Sequence, residues 1–227
     1  MASAVVGIGF VAAAAALAVY PWQGGRMTTN RECSSDLEPW SDTASAHGDL
    51  IAAKALVYDP CGFTCSQPVP EAEGAAYAAH RFTLDGLSVR FRAAKTTPTK
   101  AGQFVTVWKR SPAGPIQPFD ATDPVDLFII SSRDRHHFGQ FVFPMDALRE
   151  HGVVSANGSG GKRAFRVYPP WVITTNRQAG SAQAWQADFF LNLHRDRPID
   201  LARVQGLYRP QDGAGTTTSP VGRSLDH

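Results

Sequence analysis

The sequence predicts an α+β fold: one domain with a largely antiparallel or mixed β-sheet, a basic hairpin and flanking helices. Two observations carry this. Apolar residues recur at helical spacing early in the chain and then, from Leu87, alternate with a period of two. Helices and strands also fail to alternate in βαβ order, which argues against a doubly wound dinucleotide fold. A chain of 227 residues, 43% apolar and 19% charged, holds one well-buried core.

Taken in order, residues 1–26 form an apolar leader with no charge before Arg26. It has the look of a secretory signal or an anchor helix. It lacks the basic n-region of a signal, however, and its alanine-rich core only marginally favours insertion into a bilayer. Translation starting at Met27 is the third reading and the favoured one. A membrane is a partner only if the leader is genuine. Residues 27–45 are polar and aperiodic and read as a flexible lead-in to a domain spanning 46–205.

"HGDLIAAKALVY" (47–58) places Leu50, Ile51, Leu56 and Val57 at helical spacing with Asp49 near its start. "PEAEGAAYAAHRF" is expected to form a second helix, with Pro70 at its first position and Glu71 and Glu73 in the positive first turn. In "LSVRFR" the side chains of Leu87, Val89 and Phe91 alternate with Ser88, Arg90 and Arg92, the pattern of a strand with one buried and one wet face. "QFVTVWK" is a second strand, and "AAKTTPTKAG" between them implies an antiparallel hairpin with a long tip. "VDLFIISS" is apolar on both faces and reads as a central strand, with "GQFVFP" as its neighbour. "MDALREHG" is a short helix closed by Gly152, and Arg163 to Tyr168 a strand halted by two prolines. "SAQAWQADFFLNLH" aligns Ala182, Trp185, Phe189 and Leu193 on one helical stripe, which makes Trp185 a core residue. Residues 206–227 are rich in Gly, Thr, Ser and Pro and are expected to be disordered.

Charge is segregated along the chain. From Arg31 to His80 eight acids face two cations, whereas Gly86 to Phe119, 34 residues, contains no Asp or Glu. Inside that span lie Arg90, Arg92, Lys95, Lys100, Lys109 and Arg110. A second acid-free span, between Glu150 and Asp188, carries Lys162, Arg163, Arg166 and Arg177 with Tyr168, Trp171 and Trp185. A net charge of only +2 excludes an indiscriminate polycation, so an anionic partner has to be met by a local patch. If both spans share one surface they form a basic groove with interleaved aromatics, as a nucleic-acid strand or nucleotide-like polyanion requires. Lys95, Lys100, Lys109 and Arg110 would contact phosphates with Thr96 and Thr97 assisting, and Lys162, Arg163 and Arg166 would line the opposite wall. The bland alternative is neutralisation of the patch by Asp120, Asp123, Asp126, Glu71 and Glu73.

The enzymatic alternative is a phosphate-bond-acting enzyme, either a degenerate restriction-endonuclease-like nuclease or a nucleotide hydrolase or transferase. In the nuclease, Glu73 and Asp126 would hold Mg²⁺. Its third element fails, because Gln140, Phe141 and Val142 stand where an acid and a lysine are needed. No cofactor is otherwise called for. Cys33, Cys61 and Cys65 form neither a closed disulfide set nor a zinc spacing, so no metal site is assigned and a reducing compartment fits. His136 and His137 fall in a charged, exposed turn.

The blocks "EAEGAAYAAHRFTLDG", "FRAAKTTPTKAGQFVTVWKR", "PFDATDPVDLFII", "GQFVFPMDALREHGV" and "GKRAFRVYPPWVITTNRQAGSAQAWQADFFL" together resemble the bacterial MepB family, from about Leu50 to Leu193. The resemblance implies a cytoplasmic accessory protein, since in some bacteria the name-giving member is encoded beside a multidrug efflux transporter. It also weighs for Met27 as the start and brings no activity with it. Gly74 follows Glu73 where the family pattern has Ser, so no hydroxyl role is carried over to that position.

Overall fold

The computed structural model describes residues 40–111, 114–194 and 198–209. The leader, Cys33, most of the lead-in and the tail beyond residue 209 lie outside them. All described residues fall within one unit, residues 36–227.

The first helical run forms as expected: α1 (Gly48–Ala53) continues as a π-helical turn, Lys54–Tyr58, and buries Leu50, Ala53, Val57 and Tyr58. The second does not. In its place stand β1 (Val69–Pro70), a single 3₁₀ turn at Ala75–Tyr77 and β2 (His80–Leu84). Gly74 and Ala78 on either side of the turn have φ of 85° and 50°, in the left-handed region where a right-handed helix cannot continue. "HRFTL" buries His80, Phe82 and Leu84 on alternate positions, so a period of two won over helix-forming alanines. Asp85 and Gly86, both at positive φ, then turn β2 into β3 (Leu87–Ala93). That Asp-Gly pair between two β runs is a hairpin signal.

The expected pairing of "LSVRFR" with "QFVTVWK" is also replaced. β3 lies between antiparallel β2 and parallel β8 (Leu127–Arg133). The basic tip makes its own hairpin, β4 (Lys95–Thr97) with β5 (Lys100–Thr106). After Val107 the chain starts a separate two-stranded ribbon, β6 (Trp108–Arg110) with β7 (Ile116–Pro118). Lys109 and Arg110 therefore leave the hairpin on which the sequence places them. Nor is the second face of β3 wet: Arg92 is 1% exposed.

β8 and its antiparallel neighbour β9 (Phe138–Pro144) form the expected centre. Leu127 and Ile129 of β8 enter one apolar cluster and Phe128 and Ile130 the other; Val142 and the pair Phe141 and Phe143 divide likewise on β9. A strand covered on both sides has no wet face, hence the apolar run Leu127–Ile130; Ser131 and Ser132 beyond it are buried with their hydroxyls donating to Asp49 and Gln103. The first cluster is closed by α1 and the second by the smaller sheet, through Val105, Phe165 and Val167. α2 (Met145–Glu150) follows β9 as expected, and β10 (Ala164–Val167) joins the smaller sheet against β5.

The late helix is shorter than its stripe. α3 (Arg177–Ala187) ends before Phe189, and β11 (Phe190–Asn192) pairs with β9 as the last strand of a six-stranded sheet ordered β1-β2-β3-β8-β9-β11. Phe190 and Leu191 gain burial and a strand partner there, which a continued helix would forgo. α4 (Leu201–Tyr208) runs past the boundary placed at residue 205, because Leu207 and Tyr208 are buried in the first cluster. Trp40, inside the expected lead-in, is buried as well, with the Lys54 ammonium over its ring. No helix among the described residues is long and apolar enough to cross a membrane.

Candidate functional site

A cleft of about 590 Å³ lies between the β4–β5 hairpin, β10, α3 and the end of α2. Among the described residues three cations line it, Lys100, Lys162 and Arg166, and no Asp or Glu does. Each is placed by backbone chemistry. Lys100 opens β5 at the tight end of the hairpin. Lys162 follows the glycine-rich loop, its amide donating to the Val153 carbonyl at 2.8 Å. Arg166 is half-buried on β10 and donates to neutral acceptors, Thr97 Oγ1 at 2.7 Å and the carbonyls of Ala101 and Gly102 at 3.3 Å. It ties the hairpin to β10, and among the described residues no carboxylate pairs with it.

α3 is docked by side chains that imitate a strand. The buried Gln186 donates to the Arg166 carbonyl at 2.9 Å and accepts from the Tyr168 amide at 2.8 Å, satisfying the open edge of β10. Asn176 caps α3 by accepting from the Ala179 amide at 2.9 Å, and both residues line the cleft, which thereby receives the positive end of an 11-residue helix. Trp185, expected in the core from its stripe, is only half-buried: it packs on Phe143 against the second cluster and also lines the cleft, stacked at 3.9 Å and 12° on His151. Tyr168 and Phe165 add further aromatic surface.

The glycine-rich loop leading to Lys162 is held by Asp120. Its carboxylate accepts from the Gly158 amide (2.8 Å), Ser155 Oγ (2.7 Å) and the Thr122 hydroxyl and amide, and these donors hold its pKa well below the ordinary carboxylate range. A folded value below the unfolded one, near ~4, contributes stability that is complete above that unfolded value and lost as pH falls through the folded one. The melting temperature should therefore drop from pH 6 to pH 3 more steeply in the wild type than in Asp120→Asn. Parallel curves would remove this role from Asp120.

The other predicted residues separate by their partners. Lys95 is exposed with its ammonium 5.2 Å over the Tyr77 ring, and Arg163 is exposed; neither lines the cleft. Thr96 accepts from Gln103 at 3.2 Å and Thr97 from Arg166. Arg90 and Arg92 share Glu71, at 3.0 and 2.9 Å through opposite oxygens, Lys109 pairs with Asp123, and Arg110 with Glu73 at 2.6 Å. Burial pulls the Arg92 guanidinium below its ordinary value while Glu71 opposes the shift. So four cations of the first acid-free span, the expected phosphate contacts Lys109 and Arg110 among them, are ion-paired with three of the acids that the sequence offered as neutralisers.

Asp126, the second proposed metal ligand, clips the start of β8 to β3: its carboxylate accepts from the Ser88 amide at 2.7 Å and its own amide donates to the Ser88 carbonyl. Glu73 is taken by Arg110. Among the described residues no group of three His, Cys, Asp or Glu side chains is gathered to hold a metal ion. His136 and His137 are exposed, and the His137 ring stacks on Trp171 at 4.9 Å. Sequence reasoning missed His151, Asn176 and Gln186, for which only the length of the second acid-free span offered a signal.

Fold and cleft together define an α+β protein with mixed and antiparallel sheets and a surface cleft that is cationic and, among the described residues, free of carboxylates. The family model described as MepB-like matches residues 71–192, and the chain belongs to that family. A solved structure, "Crystal Structure of MepB", is similar at 34% identity and a TM-score of 0.57, over 64% of this chain and 97% of that one. None of the curated proteins matches.

Proposed function

We infer that this MepB-like protein binds a nucleic-acid strand in the cleft between the β4–β5 hairpin and α3. One observation carries the reading: Lys100, Lys162 and Arg166 converge on a depression with no acid in its lining among the described residues, although the chain as a whole is nearly neutral. Phosphate oxygens accept from ammonium groups and from helix-terminal amides, and base faces stack on Trp185 and Tyr168, each stack contributing about 1–3 kcal/mol. The cationic residues outside the cleft divide into Lys95 and Arg163, which extend its electrostatic reach, and the ion-paired set, which does not contribute. The free thiols Cys61 and Cys65 fit a cytoplasmic setting for this activity.

The test is fluorescence anisotropy with a labelled oligonucleotide over a salt series. Lys100→Ala with Lys162→Ala should weaken binding and reduce the slope of log affinity against log salt by about 0.7 to 0.9 per lost contact. Arg110→Ala should leave both unchanged, since Glu73 already balances that charge. Equal loss from Arg110→Ala, or an unaltered slope in the double variant, would refute the assignment. Competition by a mononucleotide at equal affinity would redirect it to a nucleotide-sized ligand.

A further inference from the structure

His151 stands at the end of α2, where it lines the cleft and its ring stacks on the Trp185 indole at 3.9 Å and 12°. The residue is half-buried, and among the described residues neither ring nitrogen has a hydrogen-bond partner. Other histidines are committed elsewhere. His80 places its two nitrogens 2.9 and 3.0 Å from the carbonyls of Ala78 and Ser45, and His137 pairs with Asp134 at 3.0 Å. An imidazole changes charge between about pH 5 and pH 8, which none of the other residue types lining the cleft does.

The charges that share the cleft with it are of one sign. Lys100 comes from the β4–β5 hairpin, Lys162 from the glycine-rich loop and Arg166 from β10, while α3 contributes only neutral side chains to the lining. Tyr168, the remaining titratable group there, stays neutral throughout this range. On its own helix Arg149 pairs with Asp146 at 3.2 Å, and Glu150 is exposed and outside the lining. Among the described residues no carboxylate in the lining favours a proton on the ring, so the partner that favours the imidazolium has to be an anion entering from outside. The indole stacked on the ring favours the same charged form. We propose that His151 is a proton-dependent phosphate contact: neutral, it leaves three cations in the cleft, and protonated from solvent it adds a fourth whose N–H groups donate to the bound strand. Binding and protonation are then linked, each strengthening the other, and affinity rises as pH falls. The inference rests on the cleft being the strand's binding site and adds to that reading its regulation by pH.

The experiment measures binding of a rhodamine-labelled oligothymidylate, whose bases do not titrate in this range, to the full chain at about pH 8 and about pH 5.5. The wild type should bind at least about fivefold more tightly at the lower pH, and its slope of log affinity against log salt should steepen by about 0.7. His151→Phe keeps a ring for Trp185 but never carries charge, so it should bind like the wild type at the higher pH and lose most of the gain. His151→Gln, which gives up the stack as well, is the second neutral variant and should lose the gain too. His137→Gln should retain it, since His137 lies outside the cleft lining. By NMR, the His151 ring protons should titrate at a higher pH with the oligonucleotide bound than without it. No binding by the wild type at either pH would overturn the cleft reading and this inference together. Binding whose pH dependence persists in both His151 variants, or ring signals that titrate alike with and without the oligonucleotide, would overturn the role of His151 alone.

Discussion

Gly102→Ala is expected to destabilise the protein by about 2–4 kcal/mol and to weaken oligonucleotide binding at the same time. Gly102 lies on β5 at φ +74°, in the left-handed region that costs a residue bearing a Cβ roughly 1–2 kcal/mol. Its added methyl would sit 2.6 Å from Tyr168 Cδ1 and 2.7 Å from the Val167 carbonyl oxygen. A carbonyl within a strand cannot swing aside, so the hairpin itself must move away from β10. That movement breaks the bond from Arg166 to the Gly102 carbonyl and shifts Lys100 and Tyr168, both of which line the cleft. Gly160→Ala separates the two causes: it has the same φ of +74° but nothing within 4 Å of its added Cβ, and should cost about 1–2 kcal/mol without affecting binding. Urea denaturation and anisotropy measure the two effects. Equal costs for the two variants would mean that the contact with β10 contributes nothing.

Arg92→Ala is expected to be at least as damaging, at about 3–5 kcal/mol. Arg92 is among the largest fully buried side chains of the protein, so truncation leaves a cavity. It also leaves Glu71, whose side chain is only 19% exposed, with Arg90 as its single cationic partner. Much of the loss is thus the cost of an under-compensated carboxylate. Arg92→Met, which refills the cavity and keeps the Glu71–Arg90 pair, should recover part of it, and adding Glu71→Gln should cost stability again because it leaves Arg90 without its carboxylate. An Arg92→Ala penalty below about 1 kcal/mol would show that the pair lies in a wetter environment than its burial indicates.

How far the fold was legible depended on whether local pattern and tertiary environment agreed. "VDLFIISS" and "GQFVFP" were readable because a strand buried on both faces has little choice but to be apolar throughout. "MDALREHG" was readable from its own length and stop signal. "EAEGAAYAAHRF" misled, because helix propensity, even alanine's, yields to tertiary burial, and His80, Phe82 and Leu84 gained more by entering the sheet beside β3. The stripe through Trp185, Phe189 and Leu193 was apolar for two reasons, a helix face before residue 188 and a sheet strand after it, which periodicity cannot distinguish.

The candidate site divides in the same manner. Composition along the chain was enough to find two acid-free basic spans, and Lys100, Lys162 and Arg166 from those spans do meet in one cleft. Composition could not say which cations would stay unmatched. Glu71 lies 19 residues before Arg90 and 21 before Arg92, and Asp123 14 after Lys109, so their pairing depends on how β3, β6 and the loops beside them pack. The order of residues determined where positive charge is concentrated and which strands must be buried, because those are properties of short segments. The tertiary structure alone decided which charges are neutralised and which remain open to a ligand, because an ion pair depends on distances of a few ångströms between segments far apart in the chain.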